Sequence, residues 1–229
     1  MIKRKSTNHV HFLFDWVRTM LLAQWGGIIS FIAVAFITEL FIGPSAMLFA
    51  LLGGIVFAAT VGQAQQNLLQ DYTDADFEGW TLFSAMGGGL SALPVAISFG
   101  SFSFIFYLAG LEGIAHLFPS ILPQVALSIF TLMSLLHWFK LREHVDHAWL
   151  WVLANVVGAL MFIPFVQGSG IVSMLVMLTL AMLAQNIVTG VTMLFLFLED
   201  SHPDDGLPDE DRYARAYVEL YTRDERPYE

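Results

Sequence analysis

The sequence contains no cysteine, and its 229 residues include only 10 lysines and arginines against 20 aspartates and glutamates. The lack of cysteine excludes disulfides, thiolate nucleophiles and cysteine-ligated zinc or iron–sulfur centres. Charged residues make up 13% of the chain, about half the share in a soluble domain, and residues 19–70 contain a single ionisable side chain, Glu39. These shortages exclude a soluble globular domain, a disordered chain and a nucleic-acid-binding protein with a basic face.

Long apolar segments fill the rest of the chain, in which 56% of the residues are hydrophobic. A helix needs about 20 apolar residues to cross the hydrocarbon core of a membrane. Six segments have this length, so the sequence predicts an all-α integral membrane protein with a six-helix bundle. The predicted spans are residues 19–42, 44–69, 80–99, 120–141, 148–167 and 170–198. Residues 1–18 then form an N-terminal segment at the cytoplasmic interface, and residues 199–229 form an acidic cytoplasmic tail with a short amphipathic helix.

The basic residues predict the orientation of these spans. With six spans, all ten lysines and arginines fall on one side of the membrane. Because positive charge is retained in the cytoplasm, we expect a multi-pass protein of the bacterial inner membrane with both termini cytoplasmic. Residues 100–118 are apolar enough for a seventh span, but this span would divide the basic residues between the two faces. We therefore expect residues 100–118 at the outer interface or as a continuation of the third span.

The tryptophans lie near the ends of the predicted spans, where indole rings favour the membrane interface. The residues concerned are Trp16, Trp80, Trp138, Trp149 and Trp151. This position predicts that they anchor the spans in the headgroup region.

A shift of 71 residues aligns residues of the same type along the chain. The aligned pairs are Trp80 with Trp151, Leu82 with Leu153, Gly87 with Gly158 and Thr60 with Thr131. This offset covers two predicted spans and a loop, so it predicts a tandem repeat of two-span hairpins.

The second copy runs Leu135-Leu-His-Trp-Phe-Lys-Leu-Arg142, and after a short loop Ala148-Trp-Leu-Trp-Val-Leu-Ala-Asn-Val-Val-Gly158. It resembles a repeat of uncharacterised bacterial membrane proteins, particularly from Chloroflexi and cyanobacteria, with the pattern L-x-Q-W-x3-L-R, loop, W-W-x-L-A-x3-G. The resemblance covers about two thirds of the chain, with His137 where the family has glutamine. It implies the hairpin fold and no particular activity.

Small residues recur at a spacing of four in three of the predicted spans. The sets are Gly54-x3-Ala58-x3-Gly62, Ser84-x3-Gly88-x3-Ala92 and Ala154-x3-Gly158. This spacing places each set on one helix face, and helices in lipid associate through such faces. We therefore predict close helix packing there; the alternative is a glycine-lined conduit or hinge.

Amide side chains also recur within the predicted spans. Gln63, Gln66, Asn67 and Gln70 form one stripe on the second span, and amides of the fifth and sixth spans could face it. Since unpaired amides are costly in lipid, hydrogen bonding between helices is one interpretation. The other is a polar cavity for a solute or lipid headgroup, lined by Gln63, Gln66, Asn67, Asn155, Gln185 and Asn186.

Ionisable residues suggest two further candidate sites. A carboxylate inside a span is a functional candidate, so Glu39 is a candidate proton or ion site, together with His116. His137 and His116 are candidate ligands of a haem or chlorophyll, although a bis-histidine haem would need two histidines at one depth. The loop from Asp74 to Gly79 resembles the start of a calcium site, but Ala85 stands at the position of the bidentate glutamate, so we predict no metal site.

The tail contains the last candidate surface, an aromatic face that could dock on a partner protein or fold back over the protein's own cytoplasmic loops at Lys140 and Arg142. It is formed by Tyr213, Tyr217, Leu220 and Tyr221. Because no catalytic motif is present, we predict a non-enzymatic accessory or scaffolding component without a cofactor, which binds membrane lipids and other membrane proteins but no nucleic acid. The alternatives are a small transporter or channel and a pigment- or haem-binding subunit.

Overall fold

The computed structural model describes residues 9–42, 46–73, 76–94, 123–165 and 171–199, and these ranges form helices and connecting turns without a β-strand. The prediction of an all-α protein is therefore confirmed for these residues. The helices are α1 (His9–Ile42), α2 (Ala46–Tyr72), α3 (Trp80–Leu90), α4 (Pro123–Leu141), α5 (Trp149–Leu160), α6 (Phe162–Phe165) and α7 (Ile171–Glu199).

Three of these helices are long and apolar enough to cross a membrane. They are represented by His9–Thr38, Pro123–Leu141 and Val172–Phe197. Large apolar side chains on α1 are exposed along its outer face, among them Ile29, Ile32, Phe36 and Leu40. Such a surface is stable in contact with lipid rather than water, so these helices indicate a membrane protein.

Helix α1 begins at His9, ten residues before the predicted first span. Residues 9–18 contain neither glycine nor proline, and Phe12 and Trp16, one turn apart, are both buried. The second half of the predicted interfacial segment is thus the first part of a packed helix.

Prolines explain why α3 and α5 end before their predicted spans do. Helix α3 ends at Leu90, four residues before Pro94, and α5 ends at Leu160, four residues before Pro164. A proline ring collides with the carbonyl group four residues earlier and supplies no N–H group. A turn follows each helix at this point, before the chain becomes helical again.

Glycines allow α1 to contact α2 closely. A Cβ atom at Gly27 would lie 2.7 Å from the Phe57 ring, and one at Gly53 would lie 2.6 Å from the Phe31 ring. Each ring thus occupies the space above a glycine of the neighbouring helix. The paired residue numbers rise along α1 and fall along α2, so the two helices are antiparallel.

The small-residue faces of α2 and α3 contact each other, which confirms the packing prediction for this pair. A Cβ atom at Gly54 would lie 2.5 Å from the Gly88 carbonyl oxygen, and one at Gly62 would overlap the Ser84 hydroxyl. Only glycine permits this backbone separation, and the contacts again make the two helices antiparallel.

Two further glycines allow close contact of α1 with α7 and of α3 with α4. The Trp16 ring of α1 packs over Gly190 of α7, where a Cβ atom would lie 2.7 Å from it. A Cβ atom at Gly87 of α3 would lie 2.6 Å from the Met133 Cα of α4. One end of the bundle therefore contains the beginnings of α1, α3 and α5 and the ends of α2, α4 and α7.

Candidate functional site

Aromatic rings fill the end of the bundle where these helix termini meet. We call this group the aromatic core; its members are Phe12, Trp16, Phe77, Trp80, His137, Trp151 and Phe197. Neighbouring rings lie 3.9 to 6.4 Å apart, in edge-to-face, tilted and stacked arrangements. Offset and edge-on contacts of this kind stabilise a buried core beyond its apolar area. The aromatic core connects α1, α3, α4, α5 and α7.

The tryptophans of this core are buried, so the prediction that they anchor the spans in the headgroups is wrong for them. Trp16, Trp80 and Trp151 are at most 1% exposed, whereas Trp149 is 53% exposed. An indole ring suits a packed interior as well as an interface, because its surface is largely apolar and it has one donor.

Two of the three buried indoles donate a hydrogen bond across the bundle. The Trp16 Nε1–H group donates to the Thr189 hydroxyl (3.3 Å), and the Trp80 Nε1–H group donates to the Gln65 carbonyl oxygen (2.9 Å). The Trp151 Nε1–H group is buried and has no acceptor among the described residues.

His137 is the polar member of the aromatic core. Its ring stacks on Trp80 at 3.9 Å with an interplanar angle of 17°, and its Nε2 atom lies 2.7 Å from the Ser84 hydroxyl oxygen. That hydroxyl donates to the Trp80 carbonyl oxygen at 2.9 Å. A serine has one proton to donate, so we assign the other proton to His137 Nε2, which donates to Ser84.

The pairing of Ser84 with His137 does not form a usable nucleophile. Ser84 directs its proton to a backbone oxygen, and the space beside its hydroxyl is closed by the backbone at Gly62. A nucleophilic serine needs a general base to receive that proton and room for a substrate carbonyl. As a ligand of haem or chlorophyll through Nε2, His137 would have to give up its hydrogen bond to Ser84.

A second polar cluster joins α1 to α7, two helical turns beyond Trp16 along α1. The Gln24 Nε2 atom donates to the Gln185 Oε1 atom (3.0 Å), and the Asn186 Nδ2 atom donates to the Gln24 Oε1 atom (2.9 Å). All three side chains are buried. We call Gln24, Gln185 and Asn186 the amide triad. It joins the first described helix of the chain to the last.

The other candidate cavity residues lie elsewhere. On α2, Gln66 accepts hydrogen bonds from the Thr81 backbone N–H (3.1 Å) and hydroxyl (2.8 Å), and exposed Gln63 donates to exposed Asn67 (2.7 Å). On α5, the Asn155 amide donates to the Trp151 carbonyl oxygen (2.9 Å). The structure thus brings together Gln185 and Asn186 of the predicted set, and places the others against different partners.

Sequence reasoning missed Gln24 and Gln65, although a signal was present. An Ala-Gln dipeptide occurs at residues 23–24, 64–65 and 184–185, and the glutamine is buried each time. Each of these amides makes a contact between helices.

Tyr72 and Asp15 form a further contact that the sequence did not suggest. The Tyr72 hydroxyl at the end of α2 donates to the Asp15 carboxylate of α1 at 2.5 Å. This hydrogen bond, with burial and the negative charges of Asp15 and Asp71, raises the pKa of Tyr72 to about 12. The neutral phenol is stabilised because its ionisation would break the bond and add a second negative charge.

Several predicted site residues lie outside the described part of the chain. They are the Glu39 side chain, His116, Tyr213, Tyr217, Leu220 and Tyr221. Within the described ranges, no group of three or more histidine, aspartate or glutamate side chains is arranged to hold a metal ion.

Comparison of the chain with protein-family models, with curated proteins and with solved structures finds no match.

Proposed function

We propose that the protein is a six-span component of the bacterial inner membrane, built from tandem two-span hairpins, that acts as a non-enzymatic accessory or scaffold in a membrane assembly. The observation that carries this proposal is that polar groups in the core bond to each other. These groups are buried, and each is hydrogen-bonded within its own set: the amide triad, Gln65 with Trp80, and Ser84 with His137. Such groups fix the relative positions of helices, whereas a transport pathway needs polar groups that a solute can reach.

Contacts between loops and helix ends support an even number of crossings. The Phe77 ring before α3 lies 5.7 Å from the His144 ring after α4, and α3 and α4 are antiparallel. The chain that leaves this end through α3 therefore returns to it through α4. Likewise, Phe12 of α1 and Phe197 of α7 lie 6.3 Å apart. We place this end of the bundle, and with it both termini, in the cytoplasm because Lys140 and Arg142 lie there.

Equivalent contacts in the two hairpins support the tandem repeat. Ser84 donates to the carbonyl oxygen of Trp80, four residues earlier, and Asn155, at the matching position 71 residues on, donates to that of Trp151. Gly87 packs against α4, and its counterpart Gly158 packs against α7, where a Cβ atom would lie 2.7 Å from Gln185. Each hairpin thus begins its second helix with a buried tryptophan and packs it through the matching glycine.

Native co-purification tests the scaffolding role. Full-length protein is crosslinked in membranes of its own cells, and bound proteins are identified after detergent extraction. We expect a reproducible membrane-protein partner that is lost in the double variant Tyr217→Ala/Tyr221→Ala, because aromatic side chains dominate such docking surfaces. The variant Tyr228→Ala, which removes a tail tyrosine outside the predicted aromatic face, should retain it. A protein that elutes alone from every preparation contradicts the scaffolding role.

A further inference from the structure

Arg142 directly follows the last residue of α4, and its guanidinium group forms no ion pair with a described carboxylate. Its guanidinium carbon lies 5.2 Å from the centre of the Trp138 ring and 5.0 Å from that of the Phe139 ring. The neighbouring Lys140 forms an ion pair with Glu143, at 3.7 Å. The rings therefore hold the guanidinium group in place while its N–H donors have no partner within the described ranges.

The surroundings of Arg142 are those of a membrane interface. Phe139 is 44% exposed, and the exposed Trp149 begins α5 at the same end of the bundle. Helix α4 is apolar enough to span the membrane, and it ends one residue before Arg142. Aromatic side chains at such a position lie at headgroup depth.

We propose that Arg142, seated on Trp138 and Phe139, binds the phosphate group of an anionic phospholipid. A guanidinium group stacked on aromatic rings keeps its edge free for two parallel hydrogen bonds to phosphate oxygens. The exposed Phe139 ring provides an apolar contact for the glycerol and upper acyl region of the same lipid. This proposal rests on the membrane location of α4 and not on the scaffolding role.

The charges that face this site leave the arginine available. Lys140 is engaged by Glu143, and the remaining acid of the loop, Asp146, is exposed to solvent. The His144 ring lies 5.7 Å from the Phe77 ring. Arg142 is therefore the net positive group of residues 139–143.

Lipid retention measured by native mass spectrometry tests the site. The full-length protein is titrated in detergent with phosphatidylglycerol and, as the neutral control, with phosphatidylcholine. We expect preferential retention of phosphatidylglycerol and a loss of about fivefold in Arg142→Gln, the effect of one basic residue at an anionic surface. Arg142→Lys should recover only part of the preference, because an ammonium group cannot form the planar double contact.

Arg18→Gln is the matched control, since Arg18 is exposed on α1 near the same end of the bundle and has no described aromatic ring beneath it. It should lower phosphatidylglycerol retention less than Arg142→Gln does. Equal losses in both variants, or none in Arg142→Gln, would show a diffuse surface charge and overturn the site. Equal retention of both lipids by the wild type, as expected if the acidic tail occupies Arg142, also overturns it. Displacement of the lipid by millimolar inorganic phosphate would indicate a site for free anions and contradict the lipid assignment.

Discussion

Gln24 lies between α1 and α7, where its amide group both donates and accepts a hydrogen bond. Its two partners, Gln185 and Asn186, are buried with it. Removing the central amide would leave an acceptor and a donor without partners in a region that excludes water. Such a loss costs about 1–3 kcal/mol, while hydrogen bonds between membrane helices average about 0.6 kcal/mol.

We therefore expect Gln24→Leu to destabilise the protein by about 1–2 kcal/mol. Thermal unfolding in detergent, followed by tryptophan fluorescence, measures the change. Gln63→Leu is the matched control, since Gln63 is exposed and its hydrogen bonds to Asn67 and Thr81 are open to solvent. This variant should change the stability little. A larger loss in Gln63→Leu than in Gln24→Leu would place the important amides on α2 after all.

The contact between Tyr72 and Asp15 predicts a pH dependence. The pKa of Tyr72 is raised from 10.0 to about 12 in the folded protein, so the contact stabilises the fold fully below pH 10.0 and its contribution is lost as the pH rises through about 12. The difference in tyrosinate absorbance between the wild type and Tyr72→Phe should titrate near this value. In Asp15→Asn, which removes the negative charge of Asp15, the pKa of Tyr72 should return toward 10.0. An unchanged titration in Asp15→Asn would contradict this origin of the shift.

At the scale of single residues, the sequence predicts burial poorly in this protein. The stripe with Gln63 and Asn67 predicts amides that bond to other helices or line a polar cavity, yet these two side chains are exposed and Gln65 is buried instead. Lipid and the protein interior are both apolar, so hydrophobic periodicity does not distinguish the inner face of a span from the outer. The burial of Trp80 was missed for the same reason.

The crossing of α2 and α3 illustrates what the sequence does predict at the scale of helices. Residue volume determines how closely two backbones approach, and the spacing of Gly54 and Gly88 is visible in the sequence. The ends of α3 and α5 could have been predicted as well, since Pro94 and Pro164 each stand four residues past the last helical residue.

We expect Gly88→Ala to destabilise the protein by about 1–3 kcal/mol, because the new methyl group would collide with the Gly54 carbonyl oxygen and the Ala58 side chain. Gly26→Ala is the control, since its Cβ atom would have only Thr60 within 4 Å, at 3.9 Å. Alanine there should be neutral or stabilise by up to about 1 kcal/mol. Thermal unfolding of both variants measures the difference. Equal stability in both would contradict the close crossing.

The repeat predicts the missing acceptor of Trp151. In the first hairpin Gln65 accepts from Trp80, and the position 71 residues after Gln65 is Leu136. Leu136→Gln should supply an acceptor to Trp151. A double-mutant cycle with Trp151→Phe should then give a favourable coupling of about 0.5–1.5 kcal/mol.

Leu135→Gln is the control for this cycle, because the same amide stands one residue away, on an exposed position. It should show no coupling to Trp151→Phe. Coupling equal to that of Leu136→Gln would contradict the equivalence of the two hairpins.

At the scale of the whole molecule, the proposed topology depends on the direction of each crossing. The sequence predicts six crossings from apolar length and the placement of basic residues, and three helices in the described ranges are long and apolar enough to cross a membrane. The arrangement of residues 95–122 and of the acidic tail lies outside the described ranges. Apolar length alone did not determine the role of residues 100–118, because a buried span and an interfacial helix share that composition.

Cysteine accessibility tests this topology most directly, since the wild-type chain has no cysteine and each introduced thiol is unique. Asp76→Cys and Asp146→Cys place a thiol in the two loops beside the aromatic core, and Ser169→Cys places one between the predicted fifth and sixth spans. A membrane-impermeant maleimide applied to intact inner-membrane spheroplasts should label Ser169→Cys alone. After lysis it should label all three. Labelling of Asp76→Cys or Asp146→Cys before lysis, or protection of Ser169→Cys, would contradict the proposed six-span arrangement.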